Sequence, residues 1–407
     1  MLSRIFLAFF ILAAINSNAQ YKNDNTKFKT VYLEDLCKTL QNNNGYILLD
    51  VRSKGEYCDT STATNLNIGH LKNAVNIDVN ELPKRLNELQ EDKDKPIFVY
   101  CSHSQRSRRA SALLADSGFT KIYNVNGGLT TFNILKESGI SCSSSFYETA
   151  NKFNLLSPDV VITTLEKSKN VFILDVRKDS VFNGISKDDK LNSYGKLKGA
   201  NNIPLSSLAN SLQKIPANSK IIIVDDYGND SPKAADILLA KGYKDLNVVF
   251  NGMDRWVGTP ETEAPGKGKY WEHPTAFKLL SDDEFDAMAK KNASVMILDV
   301  RTADEFTNKS SLSFRNIGNI KNAKNIPVAD LSNRMQEIND YKSKPIVVYA
   351  FSGSPEMFAA AKQLSSNGFT DVNVLMGGLF NLRWRAANIK GKSQLKDWVE
   401  NVPTDNL

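Results

Sequence analysis

Short apolar runs, each followed by a segment of helical periodicity, recur along this chain. The run Ile97–Tyr100 leads through Cys101-Ser102-His103-Ser104-Gln105-Arg106-Ser107 into residues 108–115, where Ala110, Leu113 and Leu114 stand at i, i+3 and i+4 before Gly118. The run predicts a buried strand and the spacing an amphipathic helix with a glycine stop. Around it lie a helix-like segment at 33–41, an apolar strand at 47–49, a short strand at 75–77, a helical stretch at 82–89 and a last strand at 122–125. Strands alternating with helices predict βαβ units, a mainly parallel sheet covered on both faces, and a ligand site off the carboxyl ends of the strands. Asp50 and Cys101 each follow such a run and are expected at one sheet edge.

The pattern repeats. Ile47-Leu48-Leu49-Asp50-Val51-Arg52 returns as Phe172-Ile173-Leu174-Asp175-Val176-Arg177 and as Met296-Ile297-Leu298-Asp299-Val300-Arg301, with the aspartates 125 (175 − 50) and 124 (299 − 175) residues apart. A Gly-to-Ile stretch keeps step with it, from Gly69 to Ile77, Gly195 to Ile203 and Gly318 to Ile326, as do Gly127-Gly128, Asn251-Gly252 and Gly377-Gly378. A period this long marks duplicated domains rather than a solenoid. The sequence therefore divides into three copies, at 27–140, 155–258 and 277–388, with a Ser-rich stretch at 139–145 and a Pro/Gly stretch at 258–269 as linkers. Asp50 and Arg52 recur in every copy, so they are expected to fix the loop after the strand rather than to do chemistry.

Composition changes this picture at the ends and in the cysteines. The 407 residues carry a formal charge of +6 with no basic block, which excludes an evident nucleic-acid surface. Residues 1–19 combine Arg4, an apolar run over 5–15 and the small residues Ser17, Asn18 and Ala19. That is the pattern of a secretory signal peptide, and the run is shorter than the roughly 20 apolar residues of a spanning helix. An exported protein without a stable membrane anchor is expected, periplasmic or otherwise secreted. The cysteines are Cys37, Cys58, Cys101 and Cys142. If Cys101 stays free, the others form at most one disulfide and leave one thiol over.

Cys101 is the candidate nucleophile. It sits where a strand ends and a helix begins, where unpaired N–H groups and the helix dipole favour an anion. Metal ligation is not expected, because no second cysteine lies within C-x-x-C reach and His103 alone completes no zinc set. No cofactor is implied.

Asp50-Val51-Arg52 with Glu56, the stretch from Gly69 to Ile77, and Cys101-Ser102-His103-Ser104-Gln105-Arg106-Ser107 together resemble the rhodanese (sulfurtransferase) domain, and the resemblance extends over all three copies. It implies an α/β fold in which each copy is a five-stranded, mainly parallel sheet with helices on both faces. It also implies a catalytic cysteine, Cys101, that heads a six-residue loop and carries sulfur as a persulfide. Ser102, His103, Ser104, Gln105, Arg106 and Ser107 would then surround a small anionic sulfur donor such as thiosulfate, with Arg106 meeting its sulfonate end. A thiol or a protein would be the sulfur acceptor. The family usually has glycine where Ser104 stands. Arg108 and Arg109 read as a solvated helix face. The fold also resembles the dual-specificity phosphatases of the cell cycle, whose loop is one residue longer. Four residues separate Cys101 from Arg106 and Ser107 follows, which favours sulfur transfer.

Aligned on strand ends, Val99-Tyr100-Cys101 falls on Val224-Asp225-Asp226 and on Val348-Tyr349-Ala350, so both later copies lack the nucleophile. Spacing to the helix-stop glycine is then 17 residues (118 − 101), 16 (242 − 226) and 18 (368 − 350), and neither later loop is expected to share the first one's geometry. In place of Arg106-Ser107 this alignment sets Ser231-Pro232 and Pro355-Glu356. One catalytic domain and two inactive ones that contribute surface are expected. The alternative is a non-catalytic sulfur relay or scaffold built from the same modules.

Overall fold

The computed structural model describes residues 26–403. The segment read as a signal peptide lies outside the described residues.

Each copy forms a five-stranded sheet, and every strand pair in it is parallel. In the first copy the spatial order is Val75–Asn76, Ile47–Asp50, Ile97–Tyr100, Ile122–Asn126 and Lys29–Tyr32. The second copy repeats it with Asn201–Asn202, Val171–Asp175, Lys220–Val224, Leu246–Val249 and Asn154–Leu156. The third does so with Lys324–Asn325, Met296–Asp299, Ile346–Tyr349, Val372–Leu375 and Lys278–Leu280. The central strands Ile97–Tyr100 and Ile346–Tyr349 are buried at every position, as strands covered on both faces must be. The edge strand Lys29–Tyr32 carried no apolar run and was not legible from periodicity.

The repeated Asp-Val-Arg builds the corner above the sheet. Asp50 accepts from the backbone N–H of Arg52 at 2.9 Å and from its Nε and Nη2, and the same Nη2 donates to the Gly69 carbonyl at 2.7 Å. Arg177 does the same with Asp175 and Gly195, and Arg301 with Asp299 and Gly318. All three ion pairs are fully buried. The bond to the glycine carbonyl ties the strand end to the glycine motif in every copy, while Nη1 of Arg52, Arg177 and Arg301 is buried without a hydrogen-bond partner.

The expected linkers are packed segments. Beyond 139–145, Tyr147–Glu148 turns back to pair antiparallel with His70–Leu71. After 258–269, Trp271–Glu272 pairs likewise with Lys196–Leu197, and Val399–Glu400 closes the third copy on Asn319–Ile320. Gly69 sits under this strap at φ +72, where a Cβ would collide with the Tyr147 ring. Within 258–269 the Lys267 ammonium is buried against the carbonyls of Val257 and Thr259. Apolar contact continues from the first copy into the second through Phe132, Ile140, Phe153 and Leu155. It continues from the second into the third through Tyr194, Trp256, Phe277 and Phe358.

Cys37, on the buried face of the helix Leu33–Gln41, is bonded to Cys142 across a separation of 105 residues, while Cys58 and Cys101 are free. Closing a loop of this length stabilises the folded chain by roughly 2–5 kcal/mol. Cys37→Ser is therefore expected to lower the unfolding free energy of the chain by that order, and the urea midpoint with it. An unchanged midpoint in urea titration would remove the disulfide from its support.

Candidate active site

Cys101 directly follows the central strand of the first copy and is 1 % exposed. The helix after it spans Gln105–Asp116, three residues earlier than the apolar spacing indicated. Its first turn is made by Gln105, Arg106 and Ser107, whose N–H groups have no intrahelical acceptor. Ser104, where the family has glycine, lies at φ +73. A left-handed serine costs about 1–2 kcal/mol. The cost is offset locally, because Ser104 Oγ accepts from the Gly127 N–H and its carbonyl from the Arg108 N–H. Gly128 comes so close to the Cys101 carbonyl that a Cβ there would overlap it.

Around the sulfur, Ser107 Oγ lies 3.6 Å from Sγ and 2.7 Å from Asn124 Oδ1. Arg106 forms a two-point ion pair with Glu56, both contacts at 2.6 Å, and donates from Nη2 to Ser102 Oγ. Its guanidinium is thus held by a carboxylate at the mouth of the loop rather than extended freely toward a donor. Gln105 is exposed at the helix start. His103 stands at the loop tip with an exposed edge, its Nε2 3.0 Å from Thr130 Oγ1. Loss of hydration, followed by the positive charges of Arg255 and Arg106, lowers its pKa to about 4, so the ring is neutral at neutral pH. Arg109 is exposed and bonds Asn80. Arg108 differs from the solvated face expected of it. It is half-buried, burial lowers its pKa, and the Cys101 charge opposes that shift. Periodicity missed it because position 108 carries no apolar residue. The cluster Arg106-Ser107-Arg108-Arg109 was the available signal.

The second copy requires a correction. Tyr100 pairs with Asp50, and in the second copy Val224 pairs with Asp175. The counterpart of Cys101 is therefore Asp225, not Asp226. Matching Val99 to Val224 had displaced the alignment by one residue, because an aromatic strand end in one copy is a valine in the other. The spacing now agrees, 17 residues in both (118 − 101 and 242 − 225), and this equality was the signal that would have set the register. Ser104 corresponds to Gly228, also left-handed at φ +81, Arg106 to Asp230, and Ser107 to Ser231. The second loop thus matches the first in length and in its left-handed third position, but its helix starts at Ser231, the counterpart of Ser107, two residues later than the first copy's helix, so the geometry differs there as expected. In it, the Asp225 carboxylate accepts from the N–H groups of Gly228 at 2.7 Å, Asp230 at 2.5 Å and Ser231 at 3.2 Å. Those donors are the equivalents of the N–H groups of Ser104, Arg106 and Ser107. In the second copy the turn holds an anion at the Cys101 position.

In the third copy Tyr349 pairs with Asp299, so Ala350 stands at the Cys101 position, with 18 residues to Gly368 (368 − 350). Its helix starts at Pro355, and the Ser354 N–H turns to the Ser352 carbonyl. Among the described residues no group of three or more His, Cys, Asp or Glu is placed to hold a metal ion.

The model of the Rhodanese-like domain matches residues 33–134, 157–259 and 281–383. The chain belongs to the rhodanese-like family. Among curated relatives of this rhodanese-like protein, the Uncharacterized protein YqhL of Bacillus subtilis is 38% identical over 104 residues, 24% of this chain and 74% of that protein. The tRNA uridine(34) hydroxylase of Cytophaga hutchinsonii is 31% identical over 115 residues, 27% of this chain and 34% of the hydroxylase. The match thus spans about a third of the hydroxylase. Of solved structures, a thiosulfate sulfurtransferase from Pseudomonas aeruginosa aligns over 86% of this chain and 66% of its own at 17% identity, with a TM-score of 0.23.

The Glu56–Arg106 pair yields a pH test. Burial pulls the Glu56 pKa upward, but the Arg106 guanidinium and the Ser53 N–H outweigh it and hold it below the ordinary 4.5. A depressed carboxylate contributes stability at neutral pH that is lost as the pH falls below 4.5 through the folded value. Glu56→Gln is therefore expected to cost about 1–3 kcal/mol at neutral pH, and the gap to the natural chain should close in acid. A gap that stays constant with pH in denaturant titrations would show that Glu56 acts without its charge.

Proposed function

We propose that the protein is an exported sulfurtransferase that moves a sulfane sulfur from a small anionic donor such as thiosulfate to a thiophilic acceptor through a persulfide on Cys101. The observation that carries this reading is the carboxylate of Asp225. It occupies, in a loop of the same length, the position of the Cys101 side chain, and it takes the three loop N–H groups that a thiolate would take. In the proposed step the Cys101 thiolate attacks the outer sulfur of thiosulfate. The new S–S bond forms as the old one breaks, sulfite leaves with the bonding pair, and the negative charge passes to the outer sulfur of the persulfide. The same N–H groups serve before and after, so the cradle need not reorganise. A thiol or a protein nucleophile then takes that sulfur and restores the thiolate.

In this reading Ser107 Oγ is a neighbour of the sulfur, and Ser102 and Glu56 aim Arg106 across the loop mouth. His103, neutral, hydrogen-bonds rather than carrying charge. Ser104 and Gln105 supply backbone. Arg108 adds positive potential from the helix behind. The Cys37–Cys142 disulfide and the apolar leader both fit an oxidising compartment outside the cytoplasm.

Incubation with thiosulfate followed by intact-protein mass spectrometry is expected to find one added sulfur, on Cys101. Cys101→Ser should take up none and still fold, since a hydroxyl does not ionise at neutral pH. Arg106→Ala should raise the half-saturating thiosulfate concentration roughly tenfold, the loss of one charge-assisted contact. Sulfur uptake by the serine variant, or loading anywhere in the second or third copy, would overturn the assignment.

A further inference from the structure

The turn that carries Cys101 is not held by its own copy alone. The helix Gly378–Asn388 of the third copy lies against it, and two hydrogen-bonded routes lead from that helix to the sulfur. In the first, Trp384 Nε1 donates to the His103 carbonyl at 3.0 Å. That carbonyl belongs to the same peptide group as the Ser104 N–H. In a trans peptide the two point in opposite directions. The Ser104 N–H is the counterpart of the Gly228 N–H, which reaches the Asp225 carboxylate at 2.7 Å. A carbonyl fixed outward on Trp384 therefore fixes an N–H inward on Cys101. The bond also polarises the peptide and makes its N–H a stronger donor.

The second route comes from the other side. Asn126 Nδ2 donates to the Ala387 carbonyl at 2.8 Å, Asn124 Nδ2 donates to Asn126 Oδ1, and Ser107 Oγ donates to Asn124 Oδ1 while lying 3.6 Å from Sγ. Both routes end on one helix of a copy that has no nucleophile. We infer that the third copy is a working part of the first copy's site and that Trp384 is a positioning residue, setting the His103–Ser104 peptide so that its N–H stabilises negative charge on Cys101. The inference rests on Cys101 acting as a nucleophile but on no particular sulfur donor.

The test reads the rate at which iodoacetamide alkylates Cys101 in the full chain at neutral pH, located by peptide mass spectrometry. Trp384→Phe keeps the ring and loses the donor, and should slow alkylation roughly three- to tenfold, the worth of one peptide hydrogen bond. Trp384→Gln, which restores an N–H at similar reach, should recover most of the rate. Lys390→Ala breaks only the exposed ion pair with Asp35 at the same interface and should leave the rate unchanged. Equal rates in the natural chain and Trp384→Phe overturn the inference. So does equal slowing in Lys390→Ala, or failure of glutamine to recover the rate, since either would assign the effect to interface packing. A Cys101 that no alkylating agent modifies in the natural chain overturns it as well. If the pattern holds while thiosulfate loads no sulfur, the sulfurtransferase reading fails and the role of Trp384 stands.

Discussion

The turn after each central strand must satisfy peptide N–H groups that no helical carbonyl can reach, and the three copies meet this constraint in three ways. The second supplies an anion of its own, the Asp225 carboxylate. The third removes donors: Pro355 at the head of the helix has no N–H, and the Ser354 N–H is folded back on the Ser352 carbonyl. The first has only Cys101. A neutral thiol is a poor acceptor for such donors, and in the proposed reading a sulfur anion completes the turn. In that reading, chemistry and backbone satisfaction are the same requirement in that copy.

The constraint also explains the surrounding fold. A parallel sheet gathers strand ends at one edge, and the buried Asp50–Arg52 pair with its bond to the Gly69 carbonyl sets the wall that faces the loop. The loops are in turn touched by one another's domains. Trp384 of the third copy reaches the first loop, Thr64 of the first donates to the Asn229 carbonyl in the second, and Lys190 of the second stands over Gly353 in the third. The contacts run in a closed circuit.

Much of this was legible in the sequence, and the failures have particular causes. The Asp-Val-Arg period gave three copies because each copy builds the same buried pair at its strand end, and Ile97–Tyr100 was readable as a strand because both its faces are covered. The strand Lys29–Tyr32 was not, since at a sheet edge its apolar content is low. The second loop was misaligned by one residue because the strand-end side chain changes from Tyr100 to Val224, while the information that set the register lay in the distance to the helix-stop glycine. Glu56 was seen as a family mark, but its hold on Arg106 joins positions 50 residues apart and has no local signature. Nothing in the first third of the chain pointed to Trp384.

The straps that close each copy bear on how the molecule arose. Tyr147–Glu148 lies past the end of the first matched region, at 134, yet it pairs with His70–Leu71 inside it, and Cys142 lies in the same tail. The inherited module is therefore longer than the segment by which it is recognised. A gene duplication that copied only the recognisable part would have left the Gly-to-Ile stretch of each copy without its antiparallel strap and the first copy without its cross-link. The near-constant period of 125 and 124 residues between aspartates (175 − 50 and 299 − 175) fits an ancestral unit that already carried its strap, with the connection to the next copy beginning only beyond it.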